Sequence, residues 1–335
     1  MINGRADMDS YVFLAINNRQ IVRAACGNGE WQVETVLAGP APVTLAADPK
    51  QPDVVYAGTQ GNGVYRSADR GHTWASLGMT GKVVKSLAVS PHDPGVIYAG
   101  VKPAAVYKTT DGGQQWAELT GFQRIPNRWW WFSPAEPPFR AYVNALSVSP
   151  TEPDVVLAGV ELGAVARSED GGRTWSSHRR GALRDCHALA FHQRDGQWVY
   201  EAGGTGGGAA VSRDGGRTWQ QPRSGLAHKY GVVCAADPAR PEVWYAALAP
   251  GPGKAYGTNA EAYLYRSSAG ADWEPIGWES QPMGRMPRAL VTRPDGPGQL
   301  FVGTTYGDVW HTGDYGDTWQ RLPFDLGGGL SLLVL

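Results

Sequence analysis

The chain has 335 residues, 42% of them hydrophobic, which is enough for one large repeat-built domain or two ordinary ones. Thirty Lys and Arg residues stand against 31 Asp and Glu residues, and this near-neutral balance excludes bulk attraction to nucleic acid or acidic membranes. Only 18% of residues are charged, whereas Gly (45), Pro (24) and Trp (14) are frequent, which predicts short strands, tight turns and almost no helix.

The compartment is indicated by the cysteines and the first residues. Cys26, Cys186 and Cys234 form no C-x-x-C pair and are odd in number, which favours a reduced compartment over a disulfide scaffold. The opening stretch MINGRADMDSYVFLAINN contains no apolar signal segment, and no apolar run approaches the roughly 20 residues of a membrane span. We therefore expect a cytoplasmic protein without a membrane partner.

In chain order, the sequence begins inside a repeat, because YVFLAINN (11–18) matches the second strand of later units and has no first strand before it. A box of the form S/T-x-D-x-G-x-x-W then recurs, and two degraded copies end at Trp31 and Trp273. The five clear copies occupy residues 67–74, 109–116, 168–175, 212–219 and 312–319. Seven such units indicate a repeat architecture, since a unit that cannot bury its own apolar face must be copied.

Each unit predicts the same order of elements. A Pro-bearing turn such as SPHDPG (90–95) separates the first two strands, a Gly-rich loop leads to a third strand, and the box leads to a fourth. The last residues, LSLLVL (330–335), match first strands such as KSLAVS (85–90). The sequence thus predicts an all-β, seven-bladed β-propeller of four-stranded antiparallel blades over residues 1–335. Residues 10–36 and 329–335 together build its first blade.

Local chemistry explains the box. Its Asp accepts backbone N–H groups, its Ser or Thr does so from the strand end, its Gly allows positive φ, and its Trp fills space beside a neighbouring strand. The box resembles the Asp-box, or BNR, repeat of sialidases, sortilin-type receptors, xyloglucan-hydrolysing glycosidases and Ycf48-type photosystem II assembly factors. In those families the boxes face away from the ligand. The resemblance therefore implies no catalytic role for Asp69, Asp111, Asp170, Asp214 and Asp314.

Two of these families can be compared in more detail. FQRIP (122–126) is similar to the sialidase RIP signature, which would place Arg124 against a substrate carboxylate. Sialidases carry that signature before the first box and have six blades, so this chain departs from their pattern. The segment DPKQPDVVYAGTQGNGVYRSADRGHTW (48–74) resembles the xyloglucan-hydrolysing enzymes, but those use two propellers that face each other across a cleft.

The face opposite the boxes is the expected functional face. In an antiparallel blade the Pro turn and the box share one face, so the Gly-rich loops and the linkers between blades share the other. Two insertions are predicted there, a long loop over 121–142 and the loop 249–263. Alignment of the first strands gives equivalent positions near the axis, namely Val43, Lys85, Asn144, His187, Val232, Arg288 and Leu330.

An excess of positive charge on this face predicts a small anionic or glycan-like ligand in a central pocket. The candidate ligand-binding residues are Lys85, Asn144, Arg288, Arg124, Arg140, Arg184, His228, Trp130 and Tyr306. If the ligand is turned over, the candidate catalytic residues are His187, Asp185, Glu161 and Tyr230. No cofactor is predicted, and a divalent metal held by His187 and His228 is the alternative.

Two other functions stay open. One is a glycoside hydrolase or lyase with Asp185 or Glu161 as acid/base, assisted by His187 or Tyr230. The other is an assembly or scaffold factor that uses the basic, Trp-rich face and binds a protein partner at RWWWF (128–132). Three consecutive tryptophans cannot all point inward, so at least one is expected to contact a ligand, a partner or another subunit.

Overall fold

The structure is a computed structural model that describes residues 8–134, 137–222, 224–268, 272–328 and 331–335. Its strands form seven antiparallel sheets. The helical elements described after β1 are short: α1 (Pro252–Ala255) and two 3-10 turns, Thr120–Arg124 and Arg128–Trp130. Within these described ranges, no helix is both long enough and apolar enough to cross a membrane.

The first three sheets, blades 1 to 3, have four strands each. Blade 1 contains β1 (Val12–Asn17), β2 (Gln20–Gly27), β3 (Glu30–Leu37) and the last strand of the chain, β26 (Leu332–Val334). Blade 2 contains β4 (Pro42–Ala47), β5 (Val55–Thr59), β6 (Val64–Ser67) and β7 (Ala75–Ser76). Blade 3 contains β8 (Val83–Val89), β9 (Ile97–Lys102), β10 (Ala105–Thr109) and β11 (Ala117–Glu118).

The remaining sheets are blades 4 to 7. Blade 4 contains β12 (Val143–Val148), β13 (Val156–Val160) and β14 (Val165–Ser168). Blade 5 contains β15 (Cys186–Phe191), β16 (Val199–Gly203) and β17 (Ala209–Ser212). Blade 6 contains β18 (Tyr230–Ala236), β19 (Trp244–Ala249), β20 (Tyr263–Ser268) and β21 (Asp272–Ile276). Blade 7 contains β22 (Pro287–Val291), β23 (Leu300–Thr304), β24 (Asp308–Thr312) and β25 (Gln320–Asp325).

In blades 4 and 5 the fourth, outermost strand is reduced to a few backbone contacts. In blade 4 the N–H of Ser176 donates to the carbonyl of Arg167 at 2.9 Å, and in blade 5 Gln220 forms an isolated bridge with Val211. The predicted seven-bladed β-propeller of four-stranded antiparallel blades is confirmed, with a minimal outer strand in these two blades.

The last strand closes the ring. β26 pairs with β1, so that Leu332 lies opposite Ala15 and Val334 lies opposite Phe13. The innermost strands contact one another in the order β4, β8, β12, β15, β18, β22, β26 and back to β4. The prediction that the C-terminal strand completes the first blade is confirmed, while residues 329 and 330 lie outside the described residues.

The repeated box is a hydrogen-bonded turn. Ser67 Oγ donates to Asp69 Oδ1 at 2.7 Å, and the same carboxylate accepts the N–H of Thr73 at 2.9 Å and its hydroxyl at 2.6 Å. Burial alone would raise the pKa of Asp69, but these hydrogen bonds outweigh it and lower the pKa to about 2. The contact to the N–H four residues on recurs at Asp111, Asp170, Asp214 and Asp314. The box carboxylates therefore hold turns together.

The box and the Pro turn of a blade lie on the same face. The N–H of Arg70 donates to the carbonyl of Asp53 at 2.9 Å, and the N–H of Gly171 donates to that of Asp154 at 2.9 Å. In each pair, a box residue contacts the turn between the first two strands of its own blade. The loops that follow the second strands, and the linkers into the first strands, consequently share the opposite face.

Candidate functional site

Six innermost strands each skip one residue in their pairing, near the strand start. The skipped residues are Val43, Lys85, Asn144, His187, Val232 and Arg288. A bulge turns one residue out of the regular ladder and is common next to binding sites. These are six of the seven positions that alignment of the first strands places near the central axis of the propeller. The bulged residues therefore lie around one end of that axis, here called the mouth of the axis.

Blade 5 contributes an acid and a histidine to this mouth. Asp185 and His187 flank Cys186 at the start of β15, and Asp185 Oδ2 lies 3.4 Å from His187 Nε2. His187 Nδ1 lies 2.6 Å from the carbonyl oxygen of Gly231 in blade 6. The ring of Tyr230 is 4.9 Å from the imidazole, centroid to centroid. Contacts on both sides thus fix the orientation of the His187 ring.

Glu161 reaches the same histidine from blade 4. It follows β13, its N–H donates to the carbonyl of Tyr142 at 3.1 Å, and its Oε2 lies 3.9 Å from His187 Nε2. The next residue, Leu162, has a φ of 42°, in the left-handed region that non-glycine residues seldom occupy. Glu161 is 9% exposed and Asp185 is 7% exposed. Two carboxylates and one imidazole are therefore buried together, with one ligand atom of each within 4.8 Å of the others.

Burial and mutual charge shift the titration of this group. Burial, followed by the negative charge of Asp185, raises the pKa of Glu161 to about 7. Burial opposes the charged form of His187, but the Asp185 carboxylate, the Gly231 carbonyl and Glu161 outweigh it and raise the pKa of His187. Burial also raises the pKa of Tyr230. The pKa of Glu161 is thus raised towards neutrality by its buried surroundings and by the neighbouring carboxylate.

A glycine makes room for the Asp185 carboxylate. Gly204 follows β16, at the place that Glu161 takes in blade 4, and its N–H donates to the carbonyl of Asp185 at 2.9 Å. A Cβ at Gly204 would lie 1.9 Å from Asp185 Oδ2 and 2.9 Å from Cε2 of Tyr230. Any side chain here would therefore displace the acid from its contact with His187.

Cations and aromatic rings extend the site on both sides. On the blade 3 side, Lys85 Nζ and Lys102 Nζ lie 4.9 Å and 5.8 Å from the ring centroid of Tyr142. On the other side, the Arg288 guanidinium lies 4.2 Å from the ring centroid of Tyr256. The Tyr256 ring lies 6.5 Å from that of Tyr230, which contacts His187. The result is a continuous arc from blade 3 to blade 7, here called the axial arc.

Asn144 connects blade 4 to blade 5. Its Nδ2 donates to the carbonyls of Cys186 and His187, each at 3.2 Å. The amide N–H₂ group therefore ties the bulge of blade 4 to that of blade 5. In this structure Asn144 positions the backbone that presents His187.

The other predicted ligand-binding residues are described by contacts that do not involve the carboxylates of Glu161 and Asp185. Arg124, Arg140 and Arg184 are exposed, and within the described part of the chain none forms a hydrogen bond or ion pair with Glu161, Asp185 or His187. His228 packs edge-on against Tyr263, with 5.1 Å between ring centroids. Tyr306 donates to the carbonyl of Thr258 at 2.6 Å and lines a separate surface hollow of about 460 Å³.

The Trp loop (128–132) points two rings outward and one inward. Trp129 and Trp130 are 72% and 68% exposed and stack on each other with centroids 4.3 Å apart. Trp131 is half-buried and packs against the buried Phe122, with 5.8 Å between ring centroids. The outward pair thus meets the expectation that the three rings cannot all be buried.

This division predicts unequal stability effects. Replacing both Trp129 and Trp130 by Ala should change the free energy of unfolding by less than about 0.5 kcal/mol, because both rings are already in water. Trp131→Ala should lower it by about 2 kcal/mol, because the ring loses its packing on Phe122. Urea denaturation of the two variants measures both values, and equal effects would contradict the inward placement of Trp131.

Three residues of the site were missed from the sequence, namely Lys102, Gly204 and Tyr256. Tyr256 lies in the insertion 249–263, so the inserted length was a signal, although nothing singled out that ring. Lys102 ends a second strand and Gly204 follows one. Equivalent positions after second strands could have been aligned in the same way as the first strands, and that alignment would have placed Glu161 and Gly204 together.

No protein-family model and no curated protein sequence matches the chain. Solved structures share its fold. A GH74 xyloglucanase from Xanthomonas campestris has a TM-score of 0.65 at 20% identity, covering 87% of this chain and 46% of that enzyme. YCF48 from Cyanidioschyzon merolae has a TM-score of 0.59 at 14% identity, covering 88% and 89%. The WD40 repeats of RRP9 have a TM-score of 0.63 at 11% identity, covering 95% and 88%. The chain spans about half the length of the xyloglucanase, and at these identities the similarity shows the fold alone.

Proposed function

We propose that the axial arc binds a small acidic sugar or a related anionic ligand that carries hydroxyl groups. The observation that carries this proposal is the convergence of ionisable and aromatic side chains from blades 3 to 7 on the bulged ends of the innermost strands. Such a set of polar groups around one mouth, built on rigid strands, is typical of small-molecule sites.

The chemistry of the arc favours this ligand class. Lys85 and Arg288 place positive charge at its two ends, and the Nε of Arg288 is buried without a hydrogen-bond partner among the described residues. An anionic group would supply a partner for that guanidinium. Between the ends, the carboxylates of Glu161 and Asp185 can accept hydrogen bonds from sugar hydroxyls, and aromatic rings offer apolar surface to a sugar ring.

A thermal-shift panel tests the proposal. The panel contains glucuronate, N-acetylneuraminate, sulfated and phosphorylated sugars, and neutral oligosaccharides. A compound at a hundred times its Kd should raise the Tm of the wild type by about 4 °C. Arg288→Ala should abolish most of that shift, because it removes the charge that pairs with the anion.

The matched control for this panel is Arg321→Ala, an exposed arginine on β25, which should respond as the wild type does. Equal shifts in Arg288→Ala and wild type would contradict an anion site at the arc. No shift with any compound would also contradict it, and would favour a protein partner at the Trp loop, where Trp129 and Trp130 are exposed.

Glycan hydrolysis at the same mouth is a second candidate. It is favoured by the spacing of Glu161 and Asp185, whose facing oxygens lie within 4.8 Å. Retaining glycosidases hold their carboxyl groups about 5 Å apart, whereas inverting ones need roughly 6.5 Å or more for a water molecule. The test is release of reducing ends from a panel of polysaccharides that includes xyloglucan. Release by the wild type that is lost in Asp185→Asn would support this candidate. The absence of release from every substrate would leave binding as the function.

A further inference from the structure

The trio of Glu161, Asp185 and His187 has the composition and spacing of a metal site. His187 Nε2 lies 3.4 Å from Asp185 Oδ2 and 3.9 Å from Glu161 Oε2, and one ligand atom of each residue lies within 4.8 Å of the others. Ligand atoms bonded to one ion at about 2.1 Å lie roughly 3 to 3.5 Å apart, so a small contraction of the trio would enclose a cation.

The imidazole is oriented as a metal ligand would be. Its Nδ1 lies 2.6 Å from the carbonyl oxygen of Gly231, and a carbonyl only accepts, so Nδ1 carries the hydrogen. In the neutral ring the lone pair is then on Nε2, which faces the two carboxylates. A backbone carbonyl behind the far nitrogen is a regular feature of metal-bound histidines.

An independent feature of Asp185 also points to a ligand. The residue is 7% exposed, and its Oδ1 is buried without a hydrogen-bond partner among the described residues. A buried carboxylate oxygen without a partner is costly, and a cation at the carboxylate would offset that cost. Gly204 leaves the space in which this carboxylate sits, since a Cβ there would overlap Oδ2 at 1.9 Å.

We propose that Glu161, Asp185 and His187 bind one divalent transition-metal ion, of the Zn²⁺ or Mn²⁺ class, at the mouth of the axis. One imidazole and two carboxylates suit these ions, whereas Ca²⁺ and Mg²⁺ prefer oxygen ligands alone. Three protein ligands leave at least one coordination position for water or for a ligand anion. The predicted pairing of His187 with His228 is replaced in this proposal by a pairing with two acids.

Metal binding at this trio does not depend on the proposed sugar site, and it is tested with the metal ion alone. The chelator-treated 335-residue chain is titrated with Zn²⁺ and with Mn²⁺ by calorimetry, and bound metal is counted after dialysis. The wild type should bind one equivalent. His187→Ala and Asp185→Asn should each weaken binding by about 100-fold or more. His228→Ala is the matched control, a half-buried histidine that packs on Tyr263, and it should bind as the wild type does.

Co²⁺ provides a readout on the wild type alone, so the test does not depend on the folding of a variant. A visible absorption band with the intensity of four- or five-coordinate Co²⁺ supports the site. Binding of less than a tenth of an equivalent at millimolar Zn²⁺ and Mn²⁺ would overturn the proposal and leave the trio as an ion pair. Unchanged binding in both His187→Ala and Asp185→Asn would overturn it as well.

The sugar panel run with and without chelator separates this inference from the proposed function. Stabilisation by an acidic sugar in the presence of chelator, together with no metal binding, would contradict the metal site and leave the sugar site supported. One equivalent of bound metal without a shift from any panel compound would support the metal site and contradict the sugar site.

Discussion

Deletion of residues 331–335 is expected to lower the free energy of unfolding by at least about 5 kcal/mol. Leu332, Val334 and Leu335 are 6%, 8% and 5% exposed, and burial of each apolar side chain contributes about 2 kcal/mol. The deletion also removes β26 from blade 1 and leaves β1 with an unpaired edge. Denaturation followed by tryptophan fluorescence measures the loss, and a concentration-dependent association through the open edge should accompany it.

Two point variants isolate the role of the closing strand. Leu332→Asp places a charge in the seam between the first and last blades and should cost about 4 kcal/mol or more. Val33→Asp changes an apolar residue of β3, the outermost strand of the same blade, where the side chain is 45% exposed, and should cost less than about 1 kcal/mol. Similar costs for the two variants would contradict closure of the ring by β26.

Glu201→Gln is expected to remove a steep loss of stability with rising pH. Glu201 lies in β16, is fully buried, and accepts the N–H of Leu183 at 2.8 Å. Burial raises its pKa from 4.5 to about 8, so the folded protein holds a proton that the unfolded chain releases above about pH 4.5. The unfolded state therefore binds fewer protons between these two pH values, and stability falls as pH rises through that window.

The size of this effect is about 5 kcal/mol across the window, because each unit of pKa difference is worth about 1.4 kcal/mol. Glutamine keeps an acceptor for Leu183 and cannot ionise. The free energy of unfolding is measured by urea denaturation at pH 5 and pH 8. Between these two pH values the wild type should lose most of this amount relative to Glu201→Gln. Glu30→Gln, on an exposed glutamate, should gain nothing. A gap between wild type and Glu201→Gln that does not change with pH would contradict a protonated Glu201.

The fold could be predicted because its determinants are local and repeated. The box turn is held by contacts within eight residues, as at Ser67, Asp69 and Thr73, so it can be recognised wherever it occurs. Ring closure could be predicted from both ends of the chain, because YVFLAINN has no first strand before it and LSLLVL supplies one. Both signals depend only on the order of the strands and turns along the chain, and that order can be read from the sequence.

The site could be predicted only in part, because it depends on how neighbouring blades face each other. Alignment of the first strands found the bulge positions of Lys85, His187 and Arg288, since strand register is a local property. It could not show that the amide of Asn144 is bonded to blade 5 carbonyls, because that contact crosses between blades. Glu201 looked like one residue of an ordinary buried strand, and its environment depends on the packing around it.

The most direct test of the axial arc as a binding site is the crystal structure of the wild type soaked with the acidic sugar that raises its Tm most. We expect ligand density at the mouth of the axis, with the anionic group beside Arg288 or Lys85 and hydroxyl groups near Glu161 and Asp185. Density found only against Trp129 and Trp130, or on the face of the boxes, would contradict it.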